Sequence, residues 1–550
     1  MSRLLSNGPV RVGPISEASD QTPLLQEQED RSGPVEASTN PRPISWRSLP
    51  NKGQLAVILL ARLAEPLSER SLASYLFYQL RWFTPGLEPS EIPKQVGYIT
   101  AVFAAAQCLT SMWWGRAADN PRLGRKRVLL IGLGGSALSA LGMGFSTSLS
   151  AAFFFRFCAG ALNGNIGVLR TMVSEIVPEK RHQTRAFLLL PMCFNVGVII
   201  GPLLTGFMAD PVHSLPSIFG PGSFFGGVDG VRWLRDFPYA LPNLFCSVIL
   251  TTAFFLIILG LDETHPQLRH SPDPGRRLGK LLLRIILRSK TARYRYETVS
   301  TEVPTEPLMT QSPDHDVVRV LANSGNKVQP AAFRDILTRN VCLNMLQRFL
   351  QSLHVSAFNS ILFSLLPTPK ADGQNFHFPF RFTGGLGLSS EKMGLANTTI
   401  GMIGIPLQLF VYPRLIGSLG VKESYRVFLP LSIVAYFLLP YLVLLPDNEA
   451  LVWTCLSAVL TLQVLSRTFV NPATMMLVND SAPSPSLLGT VHGLASSVSS
   501  AARILGPTVG GIMLGWGLAN NIVGLPLWLL GILAVANWVI LWWIDDVNMS

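Results

Sequence analysis

Four ionisable side chains lie in a segment of the chain that is otherwise almost entirely apolar. The stretch "LLARLAEPLSER" places Arg62, Glu65, Glu69 and Arg70 between two apolar runs. At about 100° per residue, Arg62, Glu65 and Glu69 fall on one narrow stripe of a helix. In a medium of low dielectric constant, burial favours a protonated carboxyl, whereas a neighbouring guanidinium favours the carboxylate. Glu65 is therefore a candidate for a group that binds a proton in one conformation and releases it in another.

A proline beside these charges strengthens the expectation that they face the protein interior. Pro66 has no N–H, so it frees the carbonyl of Arg62 and kinks the helix there. A kinked stripe of mixed charge is too costly to expose to lipid, and we expect it to face a central cavity. A static Arg62–Glu65 pair that only holds helices together is the alternative interpretation.

The composition determines which class of protein can carry such a segment. Of 550 residues, 48% are hydrophobic and only 14% are charged, and the mean hydropathy is +0.35. Soluble domains carry about 25% charged residues, so the sequence predicts an integral membrane protein. The net charge of +11 fits a bias of basic loops towards the cytosol better than a nucleic-acid partner.

Apolar segments recur along the whole chain, and each is long enough to cross a bilayer core of about 30 Å as a helix. The fold class predicted is an all-α membrane protein with twelve transmembrane helices in two related six-helix bundles. The segments are 53–78, 94–114, 128–146, 149–174, 185–209, 238–261, 341–366, 391–413, 425–445, 450–477, 487–515 and 523–544.

Charge and composition divide the chain into four parts. Residues 1–50 are expected to form a disordered cytosolic tail, 51–261 the first bundle, 262–340 a cytosolic central loop, and 341–545 the second bundle. Basic residues concentrate in the loops that follow segments 2, 4 and 8 and in the central loop. This distribution predicts that both termini are in the cytosol. The start of the central loop, around Leu281 and Ile285, predicts an amphipathic helix on the anionic leaflet, or a solvated basic linker.

The two halves resemble each other. "RTMVSE" begins at Arg170 and "RTFVNP" at Arg467, an offset of 297 residues, while "GPLLTG" at Gly201 and "GPTVGG" at Gly506 differ by 305. These pairs indicate a duplicated six-helix unit, an arrangement typical of transporters that bind substrate between their halves.

The loop between segments 2 and 3, "GRAADNPRLGRKR", resembles a signature of the major facilitator superfamily. Gly115, Asp119, Gly124, Arg125 and Lys126 match it, with four residues between Asp and Gly instead of the usual two. The resemblance implies a cytosolic gate in which an acid, helix ends and a basic cluster hold one conformation. A plain topological anchor of positive charge is the alternative. Arg170 and Glu175, at the cytosolic edge of segment 4, are assigned to the same gate.

Two membrane motifs resemble those of the drug:proton antiporters in that superfamily. "GVIIGPLLTG" contributes Gly197, Gly201, Pro202 and Gly206, and "RFCAGALNG" places Arg156 inside segment 4. Together with "RLAEP" and "WWGRAAD", they make the chain similar to plant and fungal zinc-induced facilitator-like proteins. The resemblance implies that Arg62, Glu65, Glu69 and Arg156 take part in proton coupling, and that the glycine motif packs helices closely.

Segment 7 offers a further polar face at helical spacing. Gln351, His354 and Phe358 lie on it and are candidates for lining a substrate path, although hydrogen-bonded packing is the slightly favoured interpretation for a lone histidine. No cluster of His, Cys and Asp has metal-ligand spacing, and no catalytic motif is found, so neither a metal, a cofactor nor an enzyme is expected.

These observations predict a secondary transporter, expected to be a monomer, that exports a small organic solute against protons. A symporter or uniporter of a sugar, organic acid or metal chelate, and a receptor on the same fold, are the alternatives. In the tail, Asp20, Leu24 and Leu25 fit an acidic dileucine signal read by sorting adaptors. The vacuolar membrane is favoured, then the plasma membrane, and then the peroxisomal membrane, because the stretch 276–295 could also serve as a targeting peptide.

Overall fold

Helices form nearly all of the described part of the chain. The computed structural model describes residues 50–177, 179–228, 230–269, 271–286, 338–371, 377–481, 483 and 488–544. Within these ranges there is no β-strand, only isolated bridges such as that between Lys370 and Gly384. The sorting signal of Asp20, Leu24 and Leu25 lies outside them.

Among the described residues up to Ile286 there are eleven helices, and three of them span only four or five residues. They are α1 Lys52–Phe83, α2 Ile92–Asp119, α3 Gly124–Gly144, α4 Leu149–Leu162, α5 Asn165–Ile176, α6 Lys180–Met208, α7 Pro211–Ser214, α8 Pro216–Phe219, α9 Arg232–Asp236, α10 Ala240–Gly260 and α11 Pro274–Ile286.

The second half repeats the pattern of long helices. They are α12 Arg339–Leu365, α13 Ser390–Pro406, α14 Tyr412–Leu419, α15 Val421–Leu438, α16 Glu449–Asp480, α17 Leu488–Ala519 and α18 Leu525–Ile540. A π-helical stretch, Leu407–Val411, joins α13 to α14, and a 3₁₀ turn, Leu439–Leu444, extends α15.

Helical segments lie at each of the twelve predicted positions, with one correction. Segment 4 was expected to be a single helix over 149–174, but it is broken at Asn163 and Gly164 into α4 and α5. An Asn-Gly pair favours turns over helix, so the break follows from the local sequence.

By length and composition, seven helical segments of the described chain can cross a membrane: Ile92–Asp119, Gly124–Gly144, Leu149–Ile176, Ala240–Gly260, Ser390–Leu419, Val421–Leu444 and Glu449–Asp480. Met192–Met208 and Leu525–Ile540 are shorter apolar helices. The other long helices, α1, α12 and α17, carry more polar residues. Large apolar side chains such as Leu109, Leu138 and Met402 are exposed on the outer surface, where lipid would cover them.

The buried apolar side chains fall into five clusters, and none mixes the two halves. Two clusters draw only on residues up to Leu261, and three only on residues from Val341 onwards. Each half thus packs around its own core, although the exact boundaries of the two bundles stay a prediction.

Glycine contacts repeat between the halves in the way that a duplication predicts. Gly201 of α6 packs against the backbone of Leu67 in α1, and Gly506 of α17 packs against Ala357 in α12. In each case the fifth long helical segment of a half approaches the first. The offset of 305 residues between Gly201 and Gly506 is one of the two offsets that indicated the duplication.

An amphipathic helix, α11, lies at the start of the central loop, where the sequence left a helix and a solvated basic linker both open. Its residues Leu278, Leu281 and Ile285 are exposed. Contact of this face with a lipid leaflet stays a prediction, and residues 287–337 of the loop lie outside the described ranges.

Candidate functional site

Glu65 is the best-buried acid of the charged stripe in α1. Its side chain is only 6% exposed, and Asn165 Nδ2 donates a hydrogen bond to Oε1. The other oxygen, Oε2, lies 3.6 Å from Arg62 Nη1 and accepts no hydrogen bond from the described residues. The carboxyl thus contacts one neutral donor through Oε1 and one cation through Oε2.

The break in segment 4 places Asn165 beside Glu65. Asn165 is the first residue of α5 and is buried, and its side chain lies against Gly132 of α3. A Cβ added at Gly132 would lie 2.1 Å from Asn165 Oδ1, so only glycine leaves room for the amide. Sequence reasoning missed Asn165, although the Asn-Gly pair immediately before it was a visible signal.

Glu65, Glu69 and Arg156 line one small cavity inside the first half. The sequence predicted that the stripe faces a central cavity, but none of these three residues lines the cavity between the halves. The cavity has a volume of about 40 Å³, which is enough for at least one water molecule. Arg156 is buried, and its guanidinium lies 4.3 Å from the ring centroid of Phe103 while Glu69 attracts it electrostatically. The four predicted proton-coupling residues are therefore close together, since Arg62 contacts Glu65.

A larger cavity of about 230 Å³ lies between the halves. From the first half, α1 and α6 contribute Arg70, Phe194 and Asn195 to its wall. From the second half, the lining includes Asn359, Phe363, Asn397, Gln408, Arg467 and Asn471. Sequence reasoning noted Arg70 and Arg467 but assigned them no role in binding.

The predicted polar face of segment 7 does not line either cavity. His354 is fully buried, with Nδ1 2.9 Å from the Tyr436 hydroxyl and Nε2 2.9 Å from Gln351 Oε1. Phe358 is buried against Tyr436, and Asn537 also donates to Gln351. This is the hydrogen-bonded packing that the sequence left open. A role for these residues in a substrate path stays a prediction.

The loop between α2 and α3 forms a charged cluster within the first half. Arg125 forms an ion pair with Glu175 of α5 and lies 3.8 Å from Asp119 Oδ1. Gly124 has a φ of +74°, a conformation that favours glycine. Arg170 is exposed and lies near Arg62, and a Cβ added at Gly115 would meet nothing within 4 Å.

Two acids missed by sequence reasoning complete this cluster. Glu263 accepts hydrogen bonds from the backbone N–H groups of Arg125, at 3.2 Å, and Lys126, at 3.0 Å, and so caps the start of α3. Asp273 Oδ2 lies 2.5 Å from Lys126 Nζ. Burial raises the pKa of Asp273, but hydrogen bonds from Lys126 and from the backbone of Arg276 outweigh it and lower the pKa overall.

The glycine motif of α6 serves two interfaces. Gly197 and Gly201 approach α1 around Pro66 and Leu67. One helical turn further on, Gly206 approaches Ser390 of α13, in the other half. In return, a Cβ added at Gly394 of α13 would lie 2.6 Å from the carbonyl oxygen of Pro202. The motif therefore joins the helix that carries Glu65 to the contact between the halves.

The close approach of α2 to α17 lies at the end of these helices opposite the basic loops, whereas α6 also meets the second half further along, where Asn195 donates to Gln408. At the end opposite the basic loops, Gly97 of α2 packs against Gly511 of α17, and the Tyr78 hydroxyl donates to the Leu388 carbonyl. Towards the basic end of α2 and α17, Gly115 and Gly493 have nothing within 4 Å of an added Cβ. We interpret the conformation as open at the basic end.

Two separately packed helical halves around a charged cavity define a class of multi-pass membrane transporter. The family described as "Major Facilitator Superfamily" matches residues 87–507, which are more than half of the chain. The chain belongs to that family. It is a secondary active transporter and not an enzyme.

Relatives and solved structures agree with this class. The chain is 32% identical to the multidrug transporter mfsB of Aspergillus fumigatus over 528 residues, which cover 91% of this chain and 84% of that protein. It is 24% identical to Protein ZINC INDUCED FACILITATOR 1 of Arabidopsis thaliana, with 84% of each covered. The human organic anion transporter MFSD10 shares the fold at a TM-score of 0.51 and 19% identity, over 89% of this chain and 99% of that chain.

Proposed function

We propose that the protein exports a small organic solute from the cytosol in exchange for protons. The observation that carries the proposal is the environment of Glu65, a buried carboxyl with one neutral hydrogen-bond donor at Oε1 and one cation 3.6 Å from Oε2. A carboxyl of this kind changes protonation when a small movement alters its neighbours. Its helix packs on α6, whose motif also contacts the other half.

The proposed cycle assigns each feature a step. Basic loops favour the cytosol, so the open end of the cavity faces the cytosol and solute enters there. The halves then rock about the cavity, which closes the basic end and separates Gly97 from Gly511. In the outward-open state Glu65 takes up a proton, and the protonated carboxyl favours return to the inward-open state.

Transport in proteoliposomes tests the function. Purified protein is reconstituted, a pH gradient is imposed, and uptake from a mixed metabolite extract is compared with that of protein-free vesicles. Antiport predicts that solute accumulates in vesicles whose lumen is acidic. Accumulation with the gradient reversed would identify a symporter, and uptake that ignores the gradient a uniporter. The absence of any specific uptake would favour a receptor.

For the location, we propose the vacuolar membrane, with both termini in the cytosol and the protein acting as a monomer. The support is the acidic dileucine pattern of Asp20, Leu24 and Leu25. Changing Leu24 and Leu25 to Ala should move a tagged copy away from the vacuole. A wild-type copy at the cell surface or on peroxisomes would contradict the proposal, as would a double variant that remains on the vacuole.

A further inference from the structure

Two arginines from opposite halves face the central cavity without a carboxylate partner. Arg70 comes from α1 and Arg467 from α16, and they are the only charged side chains among the described residues that line this cavity. Neither forms an ion pair with an acid in the described part of the chain. Both border the same cavity, so each positive charge raises the cost of the other.

The local contacts leave both guanidiniums with spare capacity to donate. Arg70 lies over the ring of Phe194, 5.9 Å from its centroid, and its buried Nε has no hydrogen-bond partner among the described residues. Arg467 donates one long hydrogen bond of 3.4 Å from Nη1 to Asn359 Oδ1. A guanidinium carries five N–H donors, so most of those of Arg467 remain free for a ligand.

The nearby acids belong to the other cavity. Glu65 and Glu69 line the small cavity with Arg156. Because successive side chains of a helix are rotated by about 100°, these two glutamates lie on different faces of α1 from Arg70. Two like charges at an interface of low dielectric constant are costly unless an opposite charge joins them. The protein supplies none at this point, and a ligand can.

We propose that the central cavity binds a small organic anion, whose carboxylate or similar oxyanion bridges Arg70 and Arg467. Arginine suits this role because its planar fork donates two parallel hydrogen bonds to a carboxylate. Phe194, Phe363, Ile199 and Ile400 provide apolar wall for the body of the ligand. The volume of about 230 Å³ accommodates a small molecule.

The inference names the substrate class for the transport proposed above and rests on that proposal for its biological meaning. An anion held by both halves would also join them during the conformational change. Because Glu65 and Glu69 occupy a separate cavity, anion and proton act through that change rather than by competing for one residue.

Binding to the purified full-length protein in detergent tests the inference without a membrane or a gradient. The probes are 1-naphthoate, the neutral 1-naphthamide and the cationic 1-naphthylmethylammonium, which share one ring system. We expect naphthoate to bind at least tenfold more tightly than either of the others. Arg70→Gln and Arg467→Gln should each weaken naphthoate binding by roughly tenfold or more, because each removes a charge-assisted contact.

Two controls separate binding from folding. Arg348→Gln removes a half-buried arginine of α12 that donates to Ser499 outside the cavity, and it should leave naphthoate affinity unchanged. The ligand-free Arg467→Gln protein should melt at a temperature equal to or above that of the wild type, because it loses the repulsion from Arg70.

Three results would overturn the inference: no binding of naphthoate, binding of the amide or the cation as tight as that of naphthoate, or full affinity in both cavity variants. None of them bears on Glu65, whose role is measured by gradient-driven transport. Conversely, a protein whose transport does not depend on the pH gradient can still bind the anion. Proton coupling and anion binding can therefore be contradicted independently of each other.

Discussion

Asn165 donates a hydrogen bond to Glu65 across 100 positions of the chain, from the first turn of α5 to the middle of α1. The bond exists because segment 4 breaks at Asn163 and Gly164, and because Gly132 leaves space for the amide. It orients one carboxylate oxygen and leaves the other towards Arg62. The helix break thus positions the group to which we assign the proton.

Asn165→Ala should shift the pH profile of transport. The amide favours the ionised carboxylate, so its loss lets Glu65 bind a proton more tightly and moves the half-maximal rate to higher pH. The measurement is the initial rate of transport in proteoliposomes between pH 5 and pH 8. Ser139→Ala is the control, because Ser139 lines the same cavity, belongs to α3 rather than to the helix break, and makes no described bond to Glu65. An unshifted profile in Asn165→Ala would show that the bond is only structural.

Asp119→Asn should lower turnover without removing substrate binding. Asp119 is mostly exposed and 3.8 Å from Arg125, and exposed ion pairs contribute only about 0–1 kcal/mol, so we expect a reduction of a few-fold at most. Glu175→Gln should reduce turnover more, because Glu175 is less exposed and contacts Arg125 directly. Equal turnover in both variants and the wild type would leave this loop as an anchor of topology.

The pair of Lys126 and Asp273 predicts a pH dependence of stability. The pKa of Asp273 is lowered in the folded protein, so its contribution is present above the unfolded value of about 3.9 and is lost as pH falls through the folded value. At pH 7, Asp273→Asn should therefore melt at a lower temperature than the wild type, and the difference should vanish in strong acid. Melting curves of purified protein check this. A constant difference down to pH 3 would contradict it.

Gly115 and Gly493 should come together when the basic end closes. Gly97 and Gly511 are in contact at the opposite end. Gly115 follows Gly97 on α2 by eighteen residues, and Gly493 precedes Gly511 on α17 by the same number. Eighteen residues are about five helical turns, so the two glycines of each helix lie on the same face. Gly115→Trp has space in the present conformation, so it should fold and bind substrate normally. It should slow transport by roughly tenfold, equivalent to about 1.4 kcal/mol, by blocking closure.

The control for this variant is Gly53→Trp, since Gly53 also has nothing within 4 Å of an added Cβ but lies at the start of α1. Transport rates in proteoliposomes compare the two. A Gly115→Trp protein that turns over as fast as Gly53→Trp would mean that α2 and α17 do not meet at this point.

Local patterns were enough to predict the helices and the charged stripe. The stripe could be assigned to the protein interior because an exposed charge in an apolar segment is too costly in lipid. The sequence did not distinguish the small cavity of the first half, which Glu65, Glu69 and Arg156 line, from the cavity between the halves. Asn165, Glu263 and Asp273 could not be assigned to a site from the sequence. Each contacts a partner more than 90 residues away, and none of them belongs to a recognisable motif. For His354, helical spacing left a cavity wall and hydrogen-bonded packing both open, with packing slightly favoured, because spacing does not distinguish a wall from a packed interior.

Gradient-driven transport by Glu65→Gln tests the central claim most directly. Wild-type proteoliposomes should accumulate substrate against its gradient when a pH gradient is imposed. Glu65→Gln should lose that accumulation and still exchange labelled for unlabelled substrate, because the amide cannot change protonation while the fold is kept. Glu88→Gln, a change at an exposed acid between α1 and α2, should behave like the wild type. Normal pH-driven accumulation by Glu65→Gln would contradict the account.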